Sequence, residues 1–211
     1  MATVLESAPS RVRLGPRSAG LLLTPDEFDT AEFEDGDGSN YELINGVLVV
    51  SPPASINERD PNEELGHRLR SYRESHPQGT AMDFTIAEHT LKITRNRRRA
   101  DRAIWTALGR LPGRDDIPTI VVEFVSPGRT AHRRDYDAKR VEYLEVGVRE
   151  YWIIDRFQGT LTVVSVDAGG VESQQVVNAG GIYESSLLPG FVLRLNELLD
   201  LANRWPEETE S

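Results

Sequence analysis

The 211-residue chain contains no cysteine. That absence excludes a disulfide scaffold and every zinc site built on thiolates. Long apolar runs are also missing, and no stretch approaches the roughly 20 residues that a membrane span needs. The opening MATVLESAPSRVRLG lacks the continuous apolar segment of a secretory signal. The expectation is a cytoplasmic protein without a membrane partner. Basic charge is scarce: 24 Lys and Arg face 34 Asp and Glu, a formal net charge of −10. That balance excludes a uniformly basic nucleic-acid binder. What remains is the composition of an ordinary globular domain, 38% hydrophobic and 27% charged.

The charge is unevenly spread. Residues 26–37 carry seven acids and no base, whereas residues 92–102 carry Lys92, Arg95, Arg97, Arg98, Arg99 and Arg102 against the single acid Asp101. Such an arginine run reads either as a solvated loop or as a local positive patch. The chain length suits one domain, expected over 21–204. An irregular segment, 1–20, would precede it, and an acidic tail, 205–211, would follow.

Local patterns give a mixed α/β order. Thr24, Pro25 and Glu27 have the spacing of an N-cap, a first helical residue and a capping-box acid. Asn45-Gly46 between two apolar runs predicts a type I′ hairpin over 41–50. Asp60, Pro61 and Glu63 predict a second helix start, with Leu65, Leu69 and Tyr72 as its buried stripe. Strands are expected near 81–87 and 91–94, then in ADRAIWTAL and PTIVVEFVSP. A helix follows over 130–146, then the strand REYWIID, a hairpin and a terminal helix. The strand–helix–strand unit near 118–155 fits a parallel pair with a right-handed crossover.

Two acids stand where strands should be apolar. In IVVEFVS, Glu123 shares a face with Val121 and Val125; in ADRAIW, Asp101 shares one with Ala103 and Trp105. If the strands are neighbours, the carboxylates converge and repel unless a cation lies with them. Either an arginine or a hard divalent ion such as Mg²⁺ would serve. On the next helix, Lys139 lies three after Tyr136 and four before Tyr143, on the same side as both. Its ammonium either snorkels to solvent or points at the two acids. An Asp, a Glu, a Lys and a divalent metal make a hydrolytic set for phosphate esters.

YELINGVLVVSPP, RRADRAIW, VVEFVSPGRTAHRRDYDAKRVEYLEVGVREYWIID and LPGFVLRLNELL together resemble the Uma-type restriction endonuclease family, assigned to the PD-(D/E)XK nuclease superfamily. The resemblance covers about residues 21–201. It implies a restriction-endonuclease-like core, a central mixed sheet flanked by helices with an N-terminal β-hairpin. It also implies Mg²⁺- or Mn²⁺-dependent hydrolysis of DNA. Asp101 and Glu123 match the metal-binding acids, and the Phe124 carbonyl would face the metal. The lysine expected two residues after Glu123 is replaced by Val125, and Lys139 is the candidate substitute. A further glutamate from the first core helix would be Glu58 or Glu63. Asp135 or His132 would pair with Lys139 or with an arginine, and Tyr143 reads as core. Arg97, Arg98, Arg99, Arg133 and Arg134 suit phosphate contacts. A fold-retaining module that binds nucleic acid or protein without catalysis is the alternative. Dimerisation is common in such nucleases, and nothing in the sequence establishes it.

Overall fold

The computed structural model describes residues 12–34, 38–128 and 134–206. The structure divides into two compact units, Met1–Pro53 with Thr94–Arg98, and Ala54–Ile93 with Arg99–Ser211.

The first unit holds β1 (Arg13–Leu14), α1 (Pro25–Thr30), β2 (Glu32–Phe33), β3 (Asn40–Ile44) and β4 (Val47–Ser51). Its described N-terminal residues, expected to be irregular, include β1 and a 3₁₀ turn at Pro16–Ser18. Thr24 and Glu27 form the predicted capping box of α1. The β3–β4 hairpin forms as read, because Asn45 and Gly46 both accept positive φ, 51° and 79°. Leu14, Phe28, Tyr41, Leu43 and Leu48 make a small core.

The arginine run is a strand rather than a solvated loop. It opens β6 (Asn96–Thr106), whose first three residues belong to the first unit. There Arg97 grips both carboxylate oxygens of Asp29 at 2.7 and 2.8 Å. Arg98 lies 3.9 Å from Glu42, with both residues buried. These guanidinium groups neutralise acids of their own unit.

The second unit is built on α2 (Ile56–Ser75), β5 (Met82–Ile93), the rest of β6, β7 (Ile120–Phe124), α3 (Lys139–Glu145), β8 (Glu150–Asp155), β9 (Thr160–Val166) and β10 (Glu172–Asn178). β11 (Ile182–Glu184), β12 (Val192–Arg194) and α4 (Leu195–Asn203) close it. Its sheet runs β10-β9-β8-β7-β6, with β5 also on β6. β7 and β8 pair in parallel, as the crossover expectation requires, and β6–β7, β8–β9 and β9–β10 pair antiparallel. One face packs on α2 and α4 through Leu65, Leu69, Ile104, Val122, Trp152 and Leu198. The other carries Val121, Tyr143, Tyr151 and Ile153. The expected mixed α/β class therefore holds.

Helix α2 begins earlier than predicted. Ser55 is its N-cap, and Glu58 rather than Glu63 folds back onto the cap, accepting from Ser55 N–H at 2.7 Å and from its hydroxyl at 2.8 Å. Pro61 therefore sits inside the helix, where it cannot donate to the Asn57 carbonyl. Asp60, freed from capping, receives Arg204 at 2.8 and 2.9 Å and the Trp205 indole at 2.7 Å.

The two short strands predicted near 81–94 are one strand, β5, with Glu88 at positive φ. Beneath α2 lies Arg102, 1% exposed. Its guanidinium donates to the Asn62 side chain and carbonyl, both at 2.7 Å. Burial without a bonded carboxylate pulls its pKa down to about 10. Gly66 makes room for it, since a Cβ there would meet the guanidinium at 2.5–2.7 Å.

Candidate active site

Four elements bring acids to one place in the second unit. In the β6–β7 ladder, Arg102 is opposite Val122, so Asp101 and Glu123 are the next residues along from that antiparallel pair. Glu58 comes from the first turn of α2, and Asp135 from a π-helical turn, Arg134–Ala138, that leads into α3. Lys139 opens α3. The π turn and the α-helix after it set Asp135, Lys139 and Tyr143 at successive four-residue steps, all buried.

Glu123 is held from two sides. Lys139 Nζ donates to Oε2 at 2.8 Å, and the Tyr143 hydroxyl donates to Oε1 at 2.8 Å. The same ammonium donates to the Arg99 carbonyl at 3.3 Å and lies 3.7 Å from Asp135. Lys139 is 3% exposed, so the snorkelling alternative fails. It supplies the ammonium that Val125, itself buried, does not. Arg134 flanks Asp135, donating at 2.9 Å.

Asp101 is held differently. It keeps some of its surface open to solvent, and its Oδ2 accepts from the Phe124 N–H at 2.6 Å. Phe124 thus positions Asp101 through its amide. Glu58 accepts from the Ser126 hydroxyl, which ties the start of α2 to the residues after β7.

Carboxylate charge is in excess. Burial pushes the Asp101 carboxyl up to about 6; Lys139 and the Phe124 amide oppose that, and Glu58 and Asp135 add to it. Burial raises Glu123 well above the usual carboxylate range, opposed by Lys139 and reinforced by Asp101 and Asp135. Four carboxylates thus act on one another around one lysine, and the centre favours a further positive charge. Hard oxygen donors in excess fit Mg²⁺ or Mn²⁺. Among the described residues, no three His, Asp or Glu side chains stand as a set that closes round one ion. The donor set suits the way Mg²⁺ is usually held, by one or two carboxylates with water completing the shell.

The other sequence candidates lie elsewhere. Glu63 is exposed on α2. Arg97 and Arg98 are buried against acids of the first unit. Arg99 pairs with Glu88 at 2.6 Å. His132 and Arg133 fall outside the described residues. Sequence reasoning missed the positioning donors Ser55, Ser126 and Tyr143. Tyr143 was within reach, because it lies four residues after Lys139 on the face already assigned to the site. Ser55 was within reach too, because Ser-x-x-Glu is a capping-box signature.

Tyr143→Phe isolates one of these donors. With only the hydroxyl removed, Glu123 keeps Lys139 but loses its second anchor. The expected cost is about 1–3 kcal/mol in urea unfolding, the penalty of a buried acceptor left unpaired. A stability equal to the parent's would show that the hydroxyl does not hold Glu123.

A family profile described as "Uma2: Putative restriction endonuclease" matches residues 25–196. A putative nuclease belonging to DUF820 from Anabaena variabilis shares the fold, with a TM-score of 0.67 at 16% identity over 85% of this chain and 99% of that one. No curated protein matches the sequence. With the profile spanning both the hairpin unit and the acid-bearing strands, the chain belongs to the Uma2 family of restriction-endonuclease-like proteins.

Proposed function

We propose that the second unit is a divalent-cation-dependent nuclease that hydrolyses DNA phosphodiester bonds. The observation carrying this reading is the juxtaposition of Asp101 with the buried pair Glu123 and Lys139, with charge that a cation would balance. The family description supports the substrate class. The cation, when bound, supplies an acidified water and neutralises charge at the phosphate. Asp101 and Glu123 would hold it, with water completing the shell. The residues of the chain do the positioning. Lys139 and Tyr143 fix the two oxygens of Glu123, the Phe124 amide fixes Asp101, and the two serines fix Glu58. Lys139 also places a positive charge beside the centre where a phosphorane would gather negative charge.

The test is plasmid cleavage in EDTA, Mg²⁺ and Mn²⁺. Cutting is expected only with the metals, and it should vanish in Asp101→Asn and in Glu123→Gln. Metal-dependent cutting that survives both substitutions would overturn the reading. The internal pairing of Arg97 and Arg98, which removes two expected phosphate contacts, favours a second reading as a non-catalytic module. Absence of cutting together with no Mn²⁺ binding by calorimetry would select that one.

A further inference from the structure

Strand β8 ends at Asp155, which is 1% exposed. Its Oδ1 accepts from the Phe157 and Gln158 amides at 2.9 Å each. Its Oδ2 accepts from the Gln158 side chain at 2.9 Å and the Tyr136 hydroxyl at 3.3 Å. Four donors on one buried carboxylate make the turn between β8 and β9 rigid. That rigid turn presents a phenylalanine to water: Phe157 is 47% exposed, and the Arg156 guanidinium lies 4.2 Å from its ring centroid. A lone exposed apolar residue needs no explanation. An aromatic ring stacked with a guanidinium on a pinned tip is a different object, because both groups suit bases and phosphates.

The position of the tip adds to this. β7 and β8 are parallel, with Glu123 opposite Ile153 and Phe124 opposite Ile154. Asp155 is therefore the next residue past the end of that pairing, and the turn leaves the sheet at the end where Glu123 lies. At about 3.3 Å per residue and 4.8 Å between strands, the tip stands roughly 10–15 Å from Glu123. Tyr136, which binds Asp155, belongs to the same π turn that carries Asp135 into Lys139. One set of hydrogen bonds thus fixes the tip relative to the acid site.

We propose that the Arg156–Phe157 tip is a nucleic-acid contact, with Phe157 stacking on an unpaired base and Arg156 meeting the neighbouring phosphate. The proposal rests on the nuclease reading for the location of the reacting phosphodiester. A phosphodiester held at Asp101 and Glu123 places a base two or three nucleotides away within reach of the ring.

The test measures binding of a fluorescent single-stranded oligonucleotide by anisotropy, in an Asp101→Asn background that does not cut. Phe157→Ala should weaken binding roughly fivefold or more, as loss of one stacked base does, and leave the salt dependence unchanged. Phe157→Trp should restore it. Arg156→Ala should instead lower the slope of log affinity against log salt by about 0.7, one phosphate contact on a single strand. The Phe157 variants should keep the parent's melting temperature, since that side chain stands at the surface. Unchanged affinity in Phe157→Ala overturns the tip while leaving the cutting assay to judge the nuclease. Phe157-dependent binding by a parent chain that cuts nothing supports the tip and overturns the nuclease reading. A parent chain that cuts duplex DNA but does not bind the single strand overturns the tip alone.

Discussion

Asp101→Asn should make the protein more stable at neutral pH and inactive in the same step. The Asp101 carboxyl sits at about 6 in the folded chain against an ordinary 3.8. Its folded pKa is raised, so the folded state holds the proton more tightly than the unfolded one. The stability this confers is complete below about pH 4 and is lost as pH rises through about 6. At pH 7.5 the ionised acid therefore costs about 3 kcal/mol relative to a neutral side chain of the same shape. Asparagine is that side chain, and its Oδ1 can still accept the Phe124 amide. Thermal unfolding at pH 7.5 should rise by roughly 6–12 °C, given about 2–4 °C per kcal/mol for a chain of this size. At pH 4 the two proteins should melt together. Mg²⁺ should raise the melting point of the parent and not of the variant, because a cation that binds only the native acids stabilises them by linkage. A variant no more stable than the parent at pH 7.5, or equally favoured at pH 4, would show that Asp101 is not the strained acid.

Lys139→Met should produce the largest loss. The ammonium is buried and bonded to Glu123 at 2.8 Å, with Asp135 at 3.7 Å. Methionine fills much of the same volume but leaves Glu123 without its cation, while Asp135 keeps Arg134. Removing one partner of a buried pair costs about 3–5 kcal/mol, chiefly because the other charge stays buried. The expected drop in melting temperature is roughly 10 °C. Glu123→Gln added to Lys139→Met should recover a large part of it, since the uncompensated charge is then gone. Urea unfolding of both single variants and the double variant gives the coupling energy directly. Strict additivity would mean that the two groups do not sustain each other. DNA cleavage should remain lost in the double variant even where stability returns.

The parts of this molecule legible in its sequence are those where a local rule has one solution. Asn45-Gly46 admits one kind of turn, and the hairpin followed. Side-chain alternation placed Glu123 on a buried face, and helical spacing put Lys139 on the side that reaches it. The start of α2 had two solutions. Ser55-x-x-Glu58 and Asp60-x-x-Glu63 both satisfy the capping spacing, and Pro61 favours the second because proline usually opens a helix. The structure takes the first, which carries Glu58 to Ser126 and leaves Glu63 in solvent. The arginine run was illegible for another reason. Its partners Asp29 and Glu42 lie more than fifty residues upstream, and nothing local distinguishes a paired arginine from a solvated one. The hydroxyls of Ser126 and Tyr143 were hidden because serine and tyrosine fill many structural roles, and only their orientation makes them donors to the acids.

The contact between Gly66 and Arg102 bears on how this family can drift. A guanidinium that fills the space of a missing Cβ makes the two positions exchange volume. Relatives with alanine or anything larger at position 66 should carry a shorter residue than arginine at position 102, and chains that keep the arginine should keep the glycine. The pair should therefore change together or not at all, an inheritance linkage written by one steric contact nearly forty residues apart in the chain.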